Sequence, residues 1–513
     1  MKLISAKTKR IVFLGGVAAA VMGASLVAAA ARGGEAKGSA AAAEAMAARL
    51  MGMAMSDGRA YALAESLSDG VGPRQAGSAG AAQAVTWAVE KMRALGFKNV
   101  HTEPVRVPRW IRGVAEAELV APTRQEIHLT ALGPSVGTGP NGITADVVEV
   151  AGFEELKALG DGARGKIVLF NPRPMVRGRT FEEYGRAVAV RSGGAVAAAK
   201  AGALAALVRS AGTGEYRLPH TGGMHYDEAT PKIPAAAVSA EDAELIKRLI
   251  NSGGGGGAGH ARVRMKLVMT PRFDGEVESA NVIGEVPGRD RAGEIVLLGA
   301  HLDSWDLATG AIDDAAGCGI VMDAARIIAS VGRAPRRTVR VVLFMNEEMG
   351  LSGARAYAAA HAGELGRHVA AVEVDSGEGR PSGFGVVGAG GVPLLRRIAA
   401  PLATIGASSV MEASDPGADL MPMGGKVPLF NIDQDLTTYF DWHHTAADTF
   451  DKVDAMDMAF NTAAIAVVAY GLADAGETLP VVAPARRGGG MAPPASAPAA
   501  GSGAAISPGA PAK

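Results

Sequence analysis

The chain has 513 residues, 48% hydrophobic and 20% charged, enough apolar material for one large core or two moderate ones. With 51 basic against 52 acidic residues, a net charge of −1 argues against nucleic acid or an anionic membrane surface as the main partner. The single cysteine, Cys318, rules out an intramolecular disulfide, and its apolar helical setting marks a small core residue rather than a nucleophile.

The N-terminus has the pattern of a targeting segment. Lys2, Lys7, Lys9 and Arg10 precede an apolar run from Ile11 to Ala31, and Ala29-Ala30-Ala31 before Arg32 suits signal peptidase. We therefore expect a signal peptide at 1–31 and a secreted or periplasmic protein with no stable membrane span once it is removed. An uncleaved anchor is the rival, because the run is about long enough to cross a bilayer. The Ala-rich stretch after Gly33 leads into a globular pattern near Ala60. Helical periodicity over Ala82–Leu95 stops at Gly96, and the strand-like GFKNVHTEPVRVPRW follows; residues 32–133 are expected to open an α/β domain.

Residues 134–268 look like a separate unit. It has short apolar strands at 166–170, 205–208 and 233–238, the helix SAEDAELIKRLI, and a Gly-rich turn at 252–259. Its candidate histidine pair, His220 and His225, has no acidic cluster nearby, and both are expected at the surface. The α/β pattern resumes over 269–480. Strands are expected at 294–300, 338–345, 369–374 and 427–432, helices at 314–330, 350–362 and 455–475. Strands alternating with helices imply a mixed sheet covered on both faces. Residues 481–513 collapse to Pro, Ala, Gly and Ser and are expected to be disordered.

Chemistry-bearing residues follow three of these strands. His301 and Asp303 follow EIVLLGA, Glu347 and Glu348 follow TVRVVLFMN, and Asp375 follows VAAVEV. In an open α/β sheet, ligands bind in the crevice at the carboxyl ends of the strands. Zinc accepts imidazole and carboxylate ligands, and two metals about 3.5–4 Å apart can share a carboxylate and a water. Such a site also needs a free carboxylate to carry the proton of the water to the leaving amine. The segment HLDSWDLATGAIDDAAG offers His301 as ligand, with Asp303 able to hold its ring across one intervening residue. Asp313 or Asp314 can bridge, the other capping the helix that follows. Glu347-Glu348 offers a base beside a ligand, and His443-His444 in DWHHTAADTF offers the second imidazole.

The stretches GAHLDSWD, GAIDDAAG, NEEMGLSGA, VEVDSGEG and YFDWHHTAADTF, with SANVIGEVPG and DGVGPRQAGS ahead of them, resemble the co-catalytic two-zinc aminopeptidases and glutamate carboxypeptidases. The resemblance runs from about Ala60 to Leu479. It implies a zinc-exopeptidase fold with a phosphorylase/hydrolase-like mixed sheet, and a β-rich protease-associated insert at 134–268. It implies two Zn²⁺ per chain, one held by His301 and Asp375, the other by Glu348 and His444, with Asp313 bridging. Glu347 would be the general base, Asp303 would orient His301, and His443 would help polarise the substrate carbonyl. The base motif reads Asn-Glu-Glu where many relatives have Ala-Glu-Glu, which leaves both carboxylates in place. The implied activity is hydrolysis of terminal bonds in dipeptides or short peptides, and a homodimer is the family-level expectation. Two alternatives share the scaffold: a non-catalytic binding protein and a glutaminyl-cyclase-like zinc acyltransferase. Which peptide terminus is recognised is left open, with Asp415, Asp419, Asp433 and Asp435 as candidates for a selecting charge.

Overall fold

The computed structural model describes residues 41–178, 180–252, 262–413 and 416–483. The expected signal peptide, all but the first residue of the Gly-rich turn, Asp415 and nearly all of the C-terminal tail lie outside them. Two eight-stranded sheets organise the described residues. The first runs, in spatial order, Lys98–Ile111, Arg272–Val286, Arg337–Phe344, Arg291–His301, His368–Glu373, Leu429–Gln434, Pro381–Val387 and Ser409–Ala413. Its middle strands, from Arg337–Phe344 across to Leu429–Gln434, are parallel, and antiparallel pairs flank them. This is the expected mixed sheet.

Continuous apolar runs explain why it is covered on both sides. Along the central strand, Val296, Leu298 and Ala300 face one core, shared with the helices Ala60–Val71, Ala316–Ser330 and Ala455–Asp474. Leu297 faces the opposite core, with Leu351, Ala354 and Tyr357 around the helix Ser352–Ala360. The helix Ala455–Asp474 is apolar on every side and is buried along most of its length, as expected of a central core helix. Asp454 caps its start by accepting from the N–H groups of Met456 and Asp457.

The second sheet runs Gln125–Ile127, Ala115–Ala121, Arg264–Met269, Ile143–Val150, Ile167–Phe170, Ala205–Arg209, Ala235–Val238 and Leu129–Ala131. It differs from the sequence expectation in two ways. It begins at Ala115, upstream of residue 134, because Ala115–Ala121 pairs with Arg264–Met269 and Leu129–Ala131 pairs with Ala235–Val238. It is also an α/β layer rather than simply β-rich. Every residue of Ile167–Phe170 and Ala235–Val238 is buried, so both faces need cover. The helix Ala240–Ser252 packs on one face through Ala243 and Ile246, and Glu182–Lys200 on the other through Val190, Ala195 and Ala198.

Candidate metal centre

The parallel strands deliver their chain ends to one edge. His301 pairs with Phe344 and Gly299 with Glu373, so the residues that follow Phe344 and Glu373 emerge beside His301. Glu347, Glu348 and Asp375 enter the crevice there. Asp313 and Asp314 sit in a widened helical turn, Ala311–Ala315, that feeds the helix Ala316–Ser330. Their carboxylates diverge. Asp314 accepts from the N–H of His301 at 3.0 Å and of Gly317 at 3.0 Å, closing the helix start. Asp313 faces the crevice.

Two donor groups share that Asp313 carboxylate. His301, Asp313 and Asp375 form one, Asp313, Glu348 and His444 the other, with the ligand atoms of each group within 4.8 Å of one another. His301 Nε2 is 2.8 Å from Asp313 Oδ1 and 3.5 Å from Asp375 Oδ1. His444 Nε2 is 3.2 Å from Asp313 Oδ2 and 3.0 Å from Glu348 Oε2. No Lys or Arg pairs with Asp313, Glu347, Glu348 or Asp375 among the described residues, and Glu348 Oε1 is buried without a hydrogen-bond partner. So many buried carboxylates with only imidazoles for company call for cations. The nitrogen and oxygen donor set fits zinc.

Asp303 acts differently from the sequence expectation. Its carboxylate is 3.9 Å from His301 Nδ1, too far for a hydrogen bond; its backbone carbonyl contacts that nitrogen at 3.0 Å instead. The strand ends at His301, so the two-residue alternation behind the expectation no longer applies. Asp303 Oδ1 is instead engaged by backbone N–H groups of Asn346, at 2.6 Å, and Glu347, at 3.0 Å. Asn346 explains the Asn-Glu-Glu motif. Its φ of 69° is left-handed, a conformation Asn adopts more easily than Ala, and its side chain donates to Ser352 Oγ at 2.8 Å.

The paired histidines stack with ring centroids 3.7 Å apart. His444 Nε2 faces Asp313 and Glu348 in the second donor group, and His443 Nε2 lies 3.4 Å from Asp313 Oδ2. Asp448, four residues on, accepts from the N–H of Ile312 at 2.8 Å and so ties this loop to the Asp313 turn. Arg74, from the DGVGPRQAGS stretch, is fully buried and donates to the carbonyls of Leu302, Thr309 and Gly310, fixing the loop between His301 and Asp313.

His220 corrects the expectation of a surface residue. It is 1% exposed, and its Nε2 is 3.1 Å from His443 Nδ1. Its neighbour Thr221 donates its N–H to the His444 carbonyl at 2.9 Å. His225 is partly buried as well. No motif announced His220, because its partner is 223 residues away. Of the candidates for a selecting charge, Asp419 is fully buried, with both carboxylate oxygens unpartnered, and Asp435 accepts from Thr437 in a local turn. Asp433 is partly exposed.

Burial pushes the Glu347 carboxyl well above its usual range, with Asp375, Glu348 and Asp313 adding to the effect. Burial and Asp313 likewise push Glu348 up to about 7. Burial acts the same way on Asp313, but hydrogen bonds with His301 and His444 outweigh it and hold that carboxylate well below the usual range. Asp313 is thus held ionised between two imidazoles, while burial among other carboxylates pushes Glu347 and Glu348 towards their protonated forms.

A mixed sheet covered by helices on both faces, with His and carboxylate donors at its parallel strand ends, defines a metallohydrolase. The sequence of peptidase family M28 matches residues 281–469. Carboxypeptidase Q of Bos taurus is 35% identical over 424 residues, covering 82% of this chain and 87% of that protein. A crystal structure of a peptidase M28 precursor from Shewanella amazonensis is 38% identical with a TM-score of 0.82, covering 87% of this chain and 100% of that one. BSAP, a zinc aminopeptidase from Bacillus subtilis, is 23% identical with a TM-score of 0.58, covering 80% of this chain and 94% of that one, and shares the fold. The chain belongs to peptidase family M28 and is a zinc metallo-exopeptidase.

Proposed function

We propose that this protein hydrolyses the terminal peptide bond of dipeptides or short peptides at a site holding two zinc ions. The observation that carries this is the sharing of Asp313 between two donor groups. His301 and Asp375 would hold one ion, Glu348 and His444 the other, with Asp313 bridging. Bound zinc supplies a Lewis acid that lowers the pKa of a water and polarises the scissile carbonyl. Glu347 takes the proton of the attacking water on its carboxylate and gives it to the departing amine. Asp303 holds the Glu347 backbone in place, and His443 offers an N–H to the oxygen on which charge develops.

The second sheet, over residues 115–269, is proposed to be a protease-associated-like insert that closes one side of the site; the Thr221–His444 hydrogen bond supports this. We propose export through the N-terminal segment, on the strength of its basic start and apolar run. Short peptides are the proposed partners, with no nucleic acid, in a homodimer. The test of function is mass spectrometry of dipeptides and of end-blocked peptides incubated with zinc-loaded protein. Release of a terminal residue from one class supports the reading and names the terminus. No cleavage of any of them overturns it.

A further inference from the structure

We infer that His220, carried on a loop of the second sheet, is a positioning residue that sets the tautomer of His443 and makes residues 115–269 a working part of the hydrolytic site. The inference rests on the proposed role of His443 at the substrate carbonyl.

His220 lies between the strands Ala205–Arg209 and Ala235–Val238. Its own N–H donates to Ser210 Oγ at 2.9 Å, and the next residue bonds to the His444 carbonyl. The loop presses closely on the segment that leads into His443 and His444. A Cβ at Gly214 would stand 2.6 Å from the Asp441 carbonyl oxygen, and one at Gly212 would stand 2.9 Å from that of Phe440. The His220 and His443 rings are therefore held, with Tyr184 edge-on to both.

A 3.1 Å contact between two ring nitrogens needs one proton between them. If His443 Nδ1 carried it, a neutral His443 would turn the bare Nε2 lone pair towards Asp313 Oδ2, 3.4 Å away. The reverse arrangement removes that repulsion. His220 Nε2–H donates to His443 Nδ1, and His443 keeps its proton on Nε2, facing the crevice. The remaining nitrogen of His220, Nδ1, is then a bare acceptor, and it is buried with no hydrogen-bond partner. An orphaned acceptor is better tolerated than an orphaned N–H, so both ends of the chain agree. The insert thus determines whether His443 offers a donor or a lone pair to the substrate.

The test compares H220F, which fills the space without a donor, with H220Q, whose amide N–H can stand in for Nε2–H, in full-length zinc-loaded protein. We expect kcat to fall by about 10- to 100-fold in H220F with KM within about twofold. H220Q should recover most of the loss, and zinc content should not change in either. H220F should have no further effect in an H443A background. Histidine ¹⁵N NMR, with His443 assigned by its absence in H443Q, should show an Nε2–H tautomer in the parent and in H220Q. An unchanged kcat in H220F, equal losses in H220F and H220Q, or an Nδ1–H tautomer for His443 in the parent would overturn the inference. If H220F does not fold, the H220Q rate and the parent tautomer still decide. If H443A itself leaves kcat unchanged, the reading of His443 fails instead.

Discussion

The carboxylate of Asp303 accepts the backbone N–H of Glu347 at 3.0 Å, while the His301 ring, two residues before it in the chain, stays 3.9 Å away. With the N–H of Asn346 on the same oxygen, this fixes the turn that carries Glu347 and Glu348. Asp303→Ala strands two N–H groups and should cost about 2–4 kcal/mol of stability. It should also lower kcat by about 10-fold or more while zinc binding persists. Asp303→Asn keeps one acceptor oxygen and should lose less on both counts. Denaturant midpoints and kcat for the two variants check this; equal behaviour would remove the role.

Glu347 contributes no donor to either metal group. Glu347→Gln should therefore keep its zinc and its fold yet lose about 10²- to 10⁴-fold in kcat, the usual range for a positioned acid–base group. Metal analysis beside steady-state kinetics separates this from a ligand loss. Zinc loss in proportion to the rate would reassign Glu347 as a ligand.

Gly317 has no room for a side chain. A Cβ there would sit 2.0 Å from the Val374 carbonyl oxygen and 2.2 Å from Asp314 Oδ1. Gly317→Ala should destabilise the protein by about 1–3 kcal/mol or more, by displacing either the strand before Asp375 or the Asp314 cap. A thermal melt measures it; an unchanged midpoint would contradict the packing described.

Away from the site, burial holds His368 down to about 4 from its ordinary 6.5, with Tyr357 Oη 2.8 Å from its Nε2. Between those values the unfolded chain binds the proton and the folded one does not. Stability is thus present above pH 6.5 and is lost as pH falls towards 4, by an amount on the order of 3 kcal/mol. His361 works in the opposite sense. Hydrogen bonding to Glu103 raises its pKa, so its contribution is full below pH 6.5 and fades as pH rises through the raised value. His368→Gln should flatten the acid-side decline in unfolding free energy relative to the parent; an identical decline would refute the assignment.

Much of the site was legible because the chain places each acidic or imidazole group within a few residues of a strand end. His301, Glu347, Glu348 and Asp375 needed only the strands EIVLLGA, TVRVVLFM and VAAVEV to be located. The choice between Asp313 and Asp314 was not legible in local chemistry, since either could bridge or cap. It needed the spacing to Gly317, and the structure places Asp314 at the cap. The hydrogen-bond partners of the Asp303 carboxylate were not legible because alternation ends where the strand ends. His220 and the edge strands at 115–131 were out of reach for another reason. Their partners lie far along the chain, and only the closed second sheet brings them together.

On the proposed function, Asp313 joins two zinc sites. Native mass spectrometry of the metal-free protein titrated with zinc tests it most directly, with dipeptide or short-peptide hydrolysis followed on the same samples. We predict two ions per parent chain, full activity only with the second, and neither ion held tightly in Asp313→Ala. A parent chain that reaches full activity with one zinc, or an Asp313→Ala variant that still binds two, would contradict the account.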